Sequence, residues 1–328
     1  VTRRWLWPAL ILAVAVAAVL AVGVGTAAIP PARALAALAG RGDPVERAIL
    51  IELRLPRAIL GLAVGAMLGL GGAALQGYLR NPLAEPSVLG ASNGAALGAV
   101  VALYFGLAEW HAAVLPAMGI AGALAALALL AALAGRSESP LTLILAGVAV
   151  ATLAGAGISL ALNLTLNPFA AMEITTWLLG SLEDRSFRHV ALALPCIAAG
   201  MLLLAGQGRA LDALTLGEDG AAALGTDLRA TQRRLLLGVA IGVGGAVAVS
   251  GAIGFVGLIV PHLVRPLTDR SPSAVLWPSA LAGAALLTLA DVSVRVIPTT
   301  SELKLGVVTA FLGVPVFLVH LMRERRLW

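Results

Sequence analysis

"RAILGLAVGAMLGLGGAALQGYL", residues 57–79, carries no charge after its first residue and sets glycines at 61, 65 and 69. A helix needs roughly 20 apolar residues to cross about 30 Å of hydrocarbon, so this run is long enough to span a bilayer. Glycines four apart share one helix face, where missing side chains let a second backbone come close. The stretch predicts a transmembrane helix packed tightly against a neighbour.

The remainder of the chain has the same character. It is 60% hydrophobic and 12% charged over 328 residues, too apolar for a soluble core to hide. Lipid offers no partner to bare backbone groups, so spanning elements must be helices or a closed barrel. Long apolar runs with no period-two alternation select helices. Such runs fall at about 5–25, 57–79, 88–107, 112–134, 141–164, 189–205, 232–250, 253–267, 274–291 and 305–322. The expectation is an all-α membrane protein, one polytopic domain over 1–328, with about ten transmembrane helices. The first run, 6–28, exceeds a signal-peptide core and is read as a retained span.

An even number of spans puts both termini on one side. Arg3, Arg4, Arg323, Arg325 and Arg326 assign that side to the cytoplasm, because positive charge is favoured there. The same parity places Arg80, Arg136, Arg209, Arg229, Arg233, Arg234, Arg265 and Arg270 inside. Outside it leaves Arg33, Arg41, Arg47, Arg54, Arg57, Arg185, Arg188, Arg295 and Lys304, more positive charge than the rule prefers. The net charge of +5 is therefore loop charge and not a nucleic-acid surface. The single cysteine, Cys196, lies in an apolar run and excludes a disulfide framework. The four histidines, His111, His189, His262 and His320, are dispersed, so neither a metal set nor a catalytic constellation is in view. A P-loop needs glycines and a lysine around phosphate, and the one lysine, Lys304, lacks the glycines upstream. The chain is not expected to hydrolyse ATP.

Between the sixth and seventh spans lies the most polar interval, "GQGRALDALTLGEDGAAALGTDLRATQRR", residues 206–234. Gly217 can start a short helix, Glu218 and Asp219 then occupy the first turn, where the helix dipole favours anions, and Gly225 can close it. Leu214, Leu224 and Leu228 offer an apolar surface. The segment is either a docking element or a helix lying on the membrane.

Residues 54–99 carry a resemblance. Arg54-Leu55-Pro56-Arg57, Gln76, Asn81-Pro82-Leu83-Ala84, Pro86, Leu89-Gly90 and Asn93-Gly94-Ala95 resemble the permease family of binding-protein-dependent importers for iron-siderophores, haem and vitamin B12, the FecCD-like type II ABC importers. "LGEDGAAALG" and "ADVSVR" through "GVVTAFLGVPVF" match as well, in order, over nearly the whole chain.

The resemblance implies a homodimer or paired homologue with the path at its interface, two separate ATP-binding subunits inside, which carry the ATP and Mg, and a soluble or lipid-anchored binding protein outside. No cofactor is expected on this chain, and the location implied is the bacterial cytoplasmic (inner) membrane, in contact with lipid. Leu216, Gly217, Glu218, Ala221, Leu224 and Gly225 match the family's coupling helices, within a segment of about 207–231. Arg54 and Arg295 match positions that receive carboxylates of the binding protein; a guanidinium fork suits a carboxylate. Pairing within the chain, Arg54 with Glu52 or Arg295 with Asp291 four residues away, is the alternative, and the two roles can coexist.

Gln76, Asn93, Asn163 and Asp291 are costly in lipid and should face protein or a watery path. Gln76, Asn81, Pro82 and Asn93 are read as lining the translocation path or packing helices; for Gln76 and Asn93 the resemblance implies helix packing near the path, with direct substrate contact the alternative. "GAIGFVGLIVPHLVR", 251–265, reads as a bent helix beside the path: Gly251, Gly254 and Gly257 narrow one edge, Pro261 frees a carbonyl, and His262 has no partner ligand nearby in sequence. A cytoplasmic gate is expected at 135–142, at Ser139, Pro140, Leu141 and Thr142, although Pro140 and Leu141 stand where some relatives carry small hydroxyl residues. Lys304-Leu305 after Glu302-Leu303, and the missing histidine in "LTDRSPSAV", also depart from the family pattern. An ion-coupled secondary transporter is the competing reading. It would need carboxylates along the path, and only Asp291, near a span end, offers one.

Overall fold

The computed structural model describes residues 3–135, 139–299 and 302–324. Its regular elements are all helical among those residues. In chain order they are α1 (Arg3–Gly23), α2 (Pro31–Leu38), α3 (Pro44–Ala48), then a π-helical turn (Ile49–Arg54) leading into α4 (Leu55–Leu79). Next come α5 (Ala91–Tyr104), α6 (Val114–Ala134), α7 (Pro140–Leu164), α8 (Pro168–Leu178) and α9 (Phe187–Ala205). The short α10 (Gly208–Leu214) and α11 (Glu218–Ala223) precede α12 (Leu228–Ser250), α13 (Val256–Val264), α14 (Pro272–Val296) and α15 (Leu305–Glu324).

Seven helical stretches are long and apolar enough to cross a membrane, and three shorter apolar helices, at α5, α13 with its following turn, and α15, accompany them. The shortened elements have local causes. The run expected at 88–107 is helical only over Ala91–Tyr104, because 82–90 is spent in turns that end on Gly90 with φ +77°. The bent helix expected from Gly251 is corrected more sharply. Gly251 (φ +70°) and Phe255 (φ +68°) are left-handed, so 251–255 is irregular backbone and the helix begins at Val256. The glycine edge read there therefore does not exist as an edge: Gly257 alone of the three is helical.

α4 forms the centre. Its glycine face meets α14: side chains at Gly65 or Gly69 would collide with the carbonyls of Gly283 and Ser279. α5 with α6, and α9 with α12, are held equally close, through Gly98 against Met118 and Gly200 against Gly242. Without a hydrophobic drive between helices in lipid, such close backbone packing supplies the association.

The bundle has two polar ends. At one, the C-terminal ends of α1 and α14 meet the start of α4, through Arg54 and Arg295 bonded to α1 carbonyls. α15 starts at this end, Leu305 N donating to Gly180 O at 2.9 Å. At the other, α10 and α11 pack beneath the end of α4 and the start of α14. Both described chain ends consequently run toward the α10–α11 end.

Candidate functional site

The arginine end is an ion-pair network over buried backbone. Asp291, near the end of α14, is buried and receives Arg57 Nη2 at 2.8 Å and Arg57 Nε at 3.0 Å. Arg295, one turn further on, also pairs with Asp291, as Arg57 does with Glu302. Arg295 Nη1 donates to Ala21 O at 2.8 Å, and Arg54 donates to Gly23 O at 2.9 Å, to Val22 O at 3.1 Å and to Ala27 O. Two guanidiniums thus cap the C-terminal carbonyls of α1, where the helix dipole is negative. The in-chain alternative for Arg295 is what the structure contains. For Arg54 the partner is not Glu52 but the end of α1. Arg54 is buried, so neither arginine is displayed as a free fork. Lys304 Nζ pairs with Glu183 at 2.8 Å.

At the junction of α4 and α13, Pro261 cannot donate to the carbonyl of Gly257, four residues earlier. Gln76 fills the gap. Its Nε2 lies 3.4 Å from Gly257 O and 3.2 Å from Leu258 O, and its Oε1 accepts from Arg265 Nη2 at 2.8 Å. Both ends of this buried amide are occupied inside the protein. Asn81 closes an Asx turn by accepting from Leu83 N at 2.9 Å, with Pro82 exposed beside it. Asn93 reaches across to Ala151 O of α7 at 3.4 Å. His262 is half-buried, its ring 6.4 Å from that of Phe317. No group of three or more His, Cys, Asp or Glu comes together among the described residues.

At the opposite end, α11 is bounded by Gly217 (φ +92°) and Gly225 (φ +83°), conformations that side chains resist. Ala221 is fully buried and seats the helix, whereas Leu216 and Leu224 flank it at 69% and 65% exposure. Leu214, read from sequence as part of the outward apolar surface, is instead buried against the bundle. Glu218 lies 3.9 Å from Arg80 at the end of α4. Asp212 Oδ1 accepts from Ser273 N at 2.9 Å, capping α14 from outside. A cleft of about 740 Å³, between α10 and the start of α12, is lined by Arg209, Arg234, Leu216 and Leu224.

α7 carries a feature that single polar residues in the sequence concealed. Ala149, Thr152, Ala156, Ser159 and Asn163 are all exposed, and their alternating spacing of three and four puts them on one stripe. Thr152 bonds Val148 O at 2.8 Å, and Asn163 bonds Ser159 O at 2.9 Å, so their polarity is turned along their own helix. Leu153, Leu160 and Leu164 form the adjoining exposed face. The seven-residue recurrence of small and polar residues was the available sequence signal. The expected gate falls where α7 begins: Ser139 precedes it, Pro140 is its first residue, Leu141 is exposed and Thr142 half-buried. Arg136, Ser137 and Glu138 of that segment lie outside the described residues, as do Arg325 and Arg326.

The FecCD transport family matches residues 11–323. The chain belongs to that family. It is 38% identical over 332 aligned positions to the ferric enterobactin transport system permease protein FepD of Escherichia coli, covering 99% of this chain and 97% of the relative. To the cobalamin import system permease protein BtuC of Halobacterium salinarum it is 40% identical over 287 positions, 87% of this chain and 76% of the relative. A solved inward-facing metal-chelate type ABC transporter superposes with a TM-score of 0.87 at 30% identity, over 98% of this chain and 99% of the other. This FecCD chain is a multi-pass ABC transporter permease.

Proposed function

We propose that this permease carries a metal chelate, an iron-siderophore in the first instance and haem or cobalamin otherwise, across the bacterial cytoplasmic membrane by alternating access at a dimer interface. The observation that carries the reading is the stripe on α7. Exposed Thr152, Ser159 and Asn163 fall with Ala149 and Ala156 on one stripe of small and polar residues, which suits a watery path completed by a second copy. The named substrates of FepD and BtuC, both large chelates, supply the substrate class.

In this reading the three shorter apolar helices cross with the seven longer stretches, giving ten spans. The α10–α11 end, with both termini, faces the cytoplasm. Two ATP-binding subunits, holding ATP and Mg, seat on Leu216, Glu218 and Leu224, and a soluble or lipid-anchored binding protein meets the arginine end. ATP-driven closure would then exchange two packed arrangements of the dimer.

The test is purification of the tagged chain from its native membranes in mild detergent, with mass analysis of the intact assembly. A two-to-two complex with an ATP-binding subunit is expected. Gly217→Trp and Gly225→Trp, which force bulky side chains into left-handed backbone, should release that subunit while the spans stay folded. Full chelate uptake by either variant would overturn the coupling assignment. A lone chain, both in detergent and after crosslinking in membranes, would overturn the importer reading.

A further inference from the structure

The cleft between α10 and the start of α12, about 740 Å³, falls within the roughly 300–1,000 Å³ of small-molecule sites. Arg209 stands on its α10 wall and Arg234 on its α12 wall, both exposed. The two carboxylates of the lining are turned to backbone: Asp212 accepts from Ser273 N at 2.9 Å, and Asp227 from Ala230 N at 2.9 Å. Among the described residues no carboxylate pairs with Arg209 or Arg234. Thr226 and Thr231 add hydroxyls to the lining. What this wall lacks is an anion.

Toward the membrane the cleft gives way to apolar surface. α9 and α12 are both long and apolar enough to span, and they pack through Gly200 and Leu204 on one side and Gly238 and Gly242 on the other. In an antiparallel pair, residues one position before the contact positions fall on the same side of the seam from both helices. Ala199 and Leu203 of α9 and Leu237 and Ile241 of α12 hold those places, and none of the four is buried. The strip joins the cleft on both helices. Arg234 stands one turn before Leu237, and Gln207, which lines the cleft, donates to Leu203 O at 3.2 Å.

We infer that the cleft holds the phosphate headgroup of an anionic phospholipid, clamped between Arg209 and Arg234, with an acyl chain laid along Leu203, Leu237 and Ile241. A guanidinium fork suits phosphate oxygens, and basic pockets between spans, at the level where helices leave hydrocarbon, suit anionic headgroups. The apolar strip selects a lipid: a free phosphate or a carboxylate of a partner protein would leave it unused. The inference needs only that α9 and α12 cross the membrane, so it stands whatever the permease carries. Leu216 and Leu224 border the same cleft, which sets the lipid beside the surface assigned to the ATP-binding subunit.

The test uses the whole chain, with and without the subunits that purify with it, stripped of lipid in mild detergent. Phosphatidylglycerol or phosphatidylcholine with the same acyl chains is then titrated in, and bound lipid is counted by native mass spectrometry. One phosphatidylglycerol should bind at least about tenfold more tightly than phosphatidylcholine, and less so at high salt. Arg209→Gln with Arg234→Gln should abolish that preference. Exposed Arg233, on the same helix but outside the lining, supplies the control: Arg233→Gln should stay within about twofold. Leu237→Gln should weaken both lipids severalfold and keep the preference between them. An unaltered preference in the double variant would overturn the inference, and an unaltered affinity in Leu237→Gln would remove the acyl track. Displacement by inorganic phosphate at the concentration of the lipid would make the cleft a soluble-anion site. A preference seen in the lone chain but lost where the ATP-binding subunit is retained would assign the cleft to that subunit. Should the double variant fail to assemble, the two single variants decide, each expected to lose about threefold or more.

Discussion

Asp291 shows why position in the sequence misleads about a polar residue in a span. As the one carboxylate near a span end it invites an ion-coupling role, yet it lies between Arg57 and Arg295 and is 1% exposed. Removing one member of a buried pair leaves its partners charged and unmatched, at a cost of about 3–5 kcal/mol. Asp291→Ala is expected to lower the midpoint of thermal unfolding in detergent clearly. Glu302→Gln should do so much less, because Arg57 keeps Asp291 and Glu302 is the more exposed carboxylate. Equal effects of the two substitutions would mean that Asp291 is not the hub. Gln76 makes the same point from the other side. Its cost in lipid was legible in the sequence, but the reason for it, a carbonyl freed by Pro261 in a helix 181 residues away, needed the fold.

Helices were legible where composition and glycine spacing agree, and were not where the backbone breaks its own pattern. The glycine ladder of α4 announced a close neighbour without saying which; α14 fills that place. The closest approach, however, is at Gly72, outside the 61, 65, 69 series, where a side chain would strike the carbonyl of Gly257. Gly72→Ala should therefore push α13 from α4 and reduce the yield of folded protein, whereas at Gly71 an added Cβ would meet Val243 at an ordinary 3.5 Å. Comparable yields from Gly72→Ala and Gly71→Ala would sink that argument. α8 was missed because eleven residues broken by Glu173, Thr175 and Thr176 fall short of a span, and the irregular 251–255 because apolar composition alone does not tell a loop lined by protein from a span. The α7 stripe is open to test by labelling. In a Cys196→Ala background, single cysteines at Thr152, Ser159 and Asn163 should react with a membrane-impermeant thiol reagent in assembled membranes. Cysteines at Leu153 and Leu160 should not. Uniform reactivity, or none, would remove α7 from the path.

For the whole molecule, the sequence offered an arginine-rich set of loops and a polar segment at 206–234 without a means of joining them. α14 makes the connection: its first turn is capped by Asp212 of α10, and its last two turns hold Asp291 and Arg295. At 1.5 Å per residue its 25 residues cover nearly 38 Å, so one rigid element links the segment assigned to the ATPase with the end assigned to the binding protein. A cap interaction contributes only about 0.5–2 kcal/mol to stability, so its loss should leave the permease folded. The effect on communication should be larger than the effect on folding. Asp212→Ala detaches α10 from α14, and the stimulation of ATPase activity by the loaded binding protein is expected to fall severalfold relative to the unstimulated rate. Asp212→Asn keeps an oxygen to accept from Ser273 N and should retain most of the stimulation. If Asp212→Ala preserves the full ratio in reconstituted complexes, movement at α10 reaches the outer end by another route, and α4, tied to α11 through Arg80 and Glu218, becomes the element to examine.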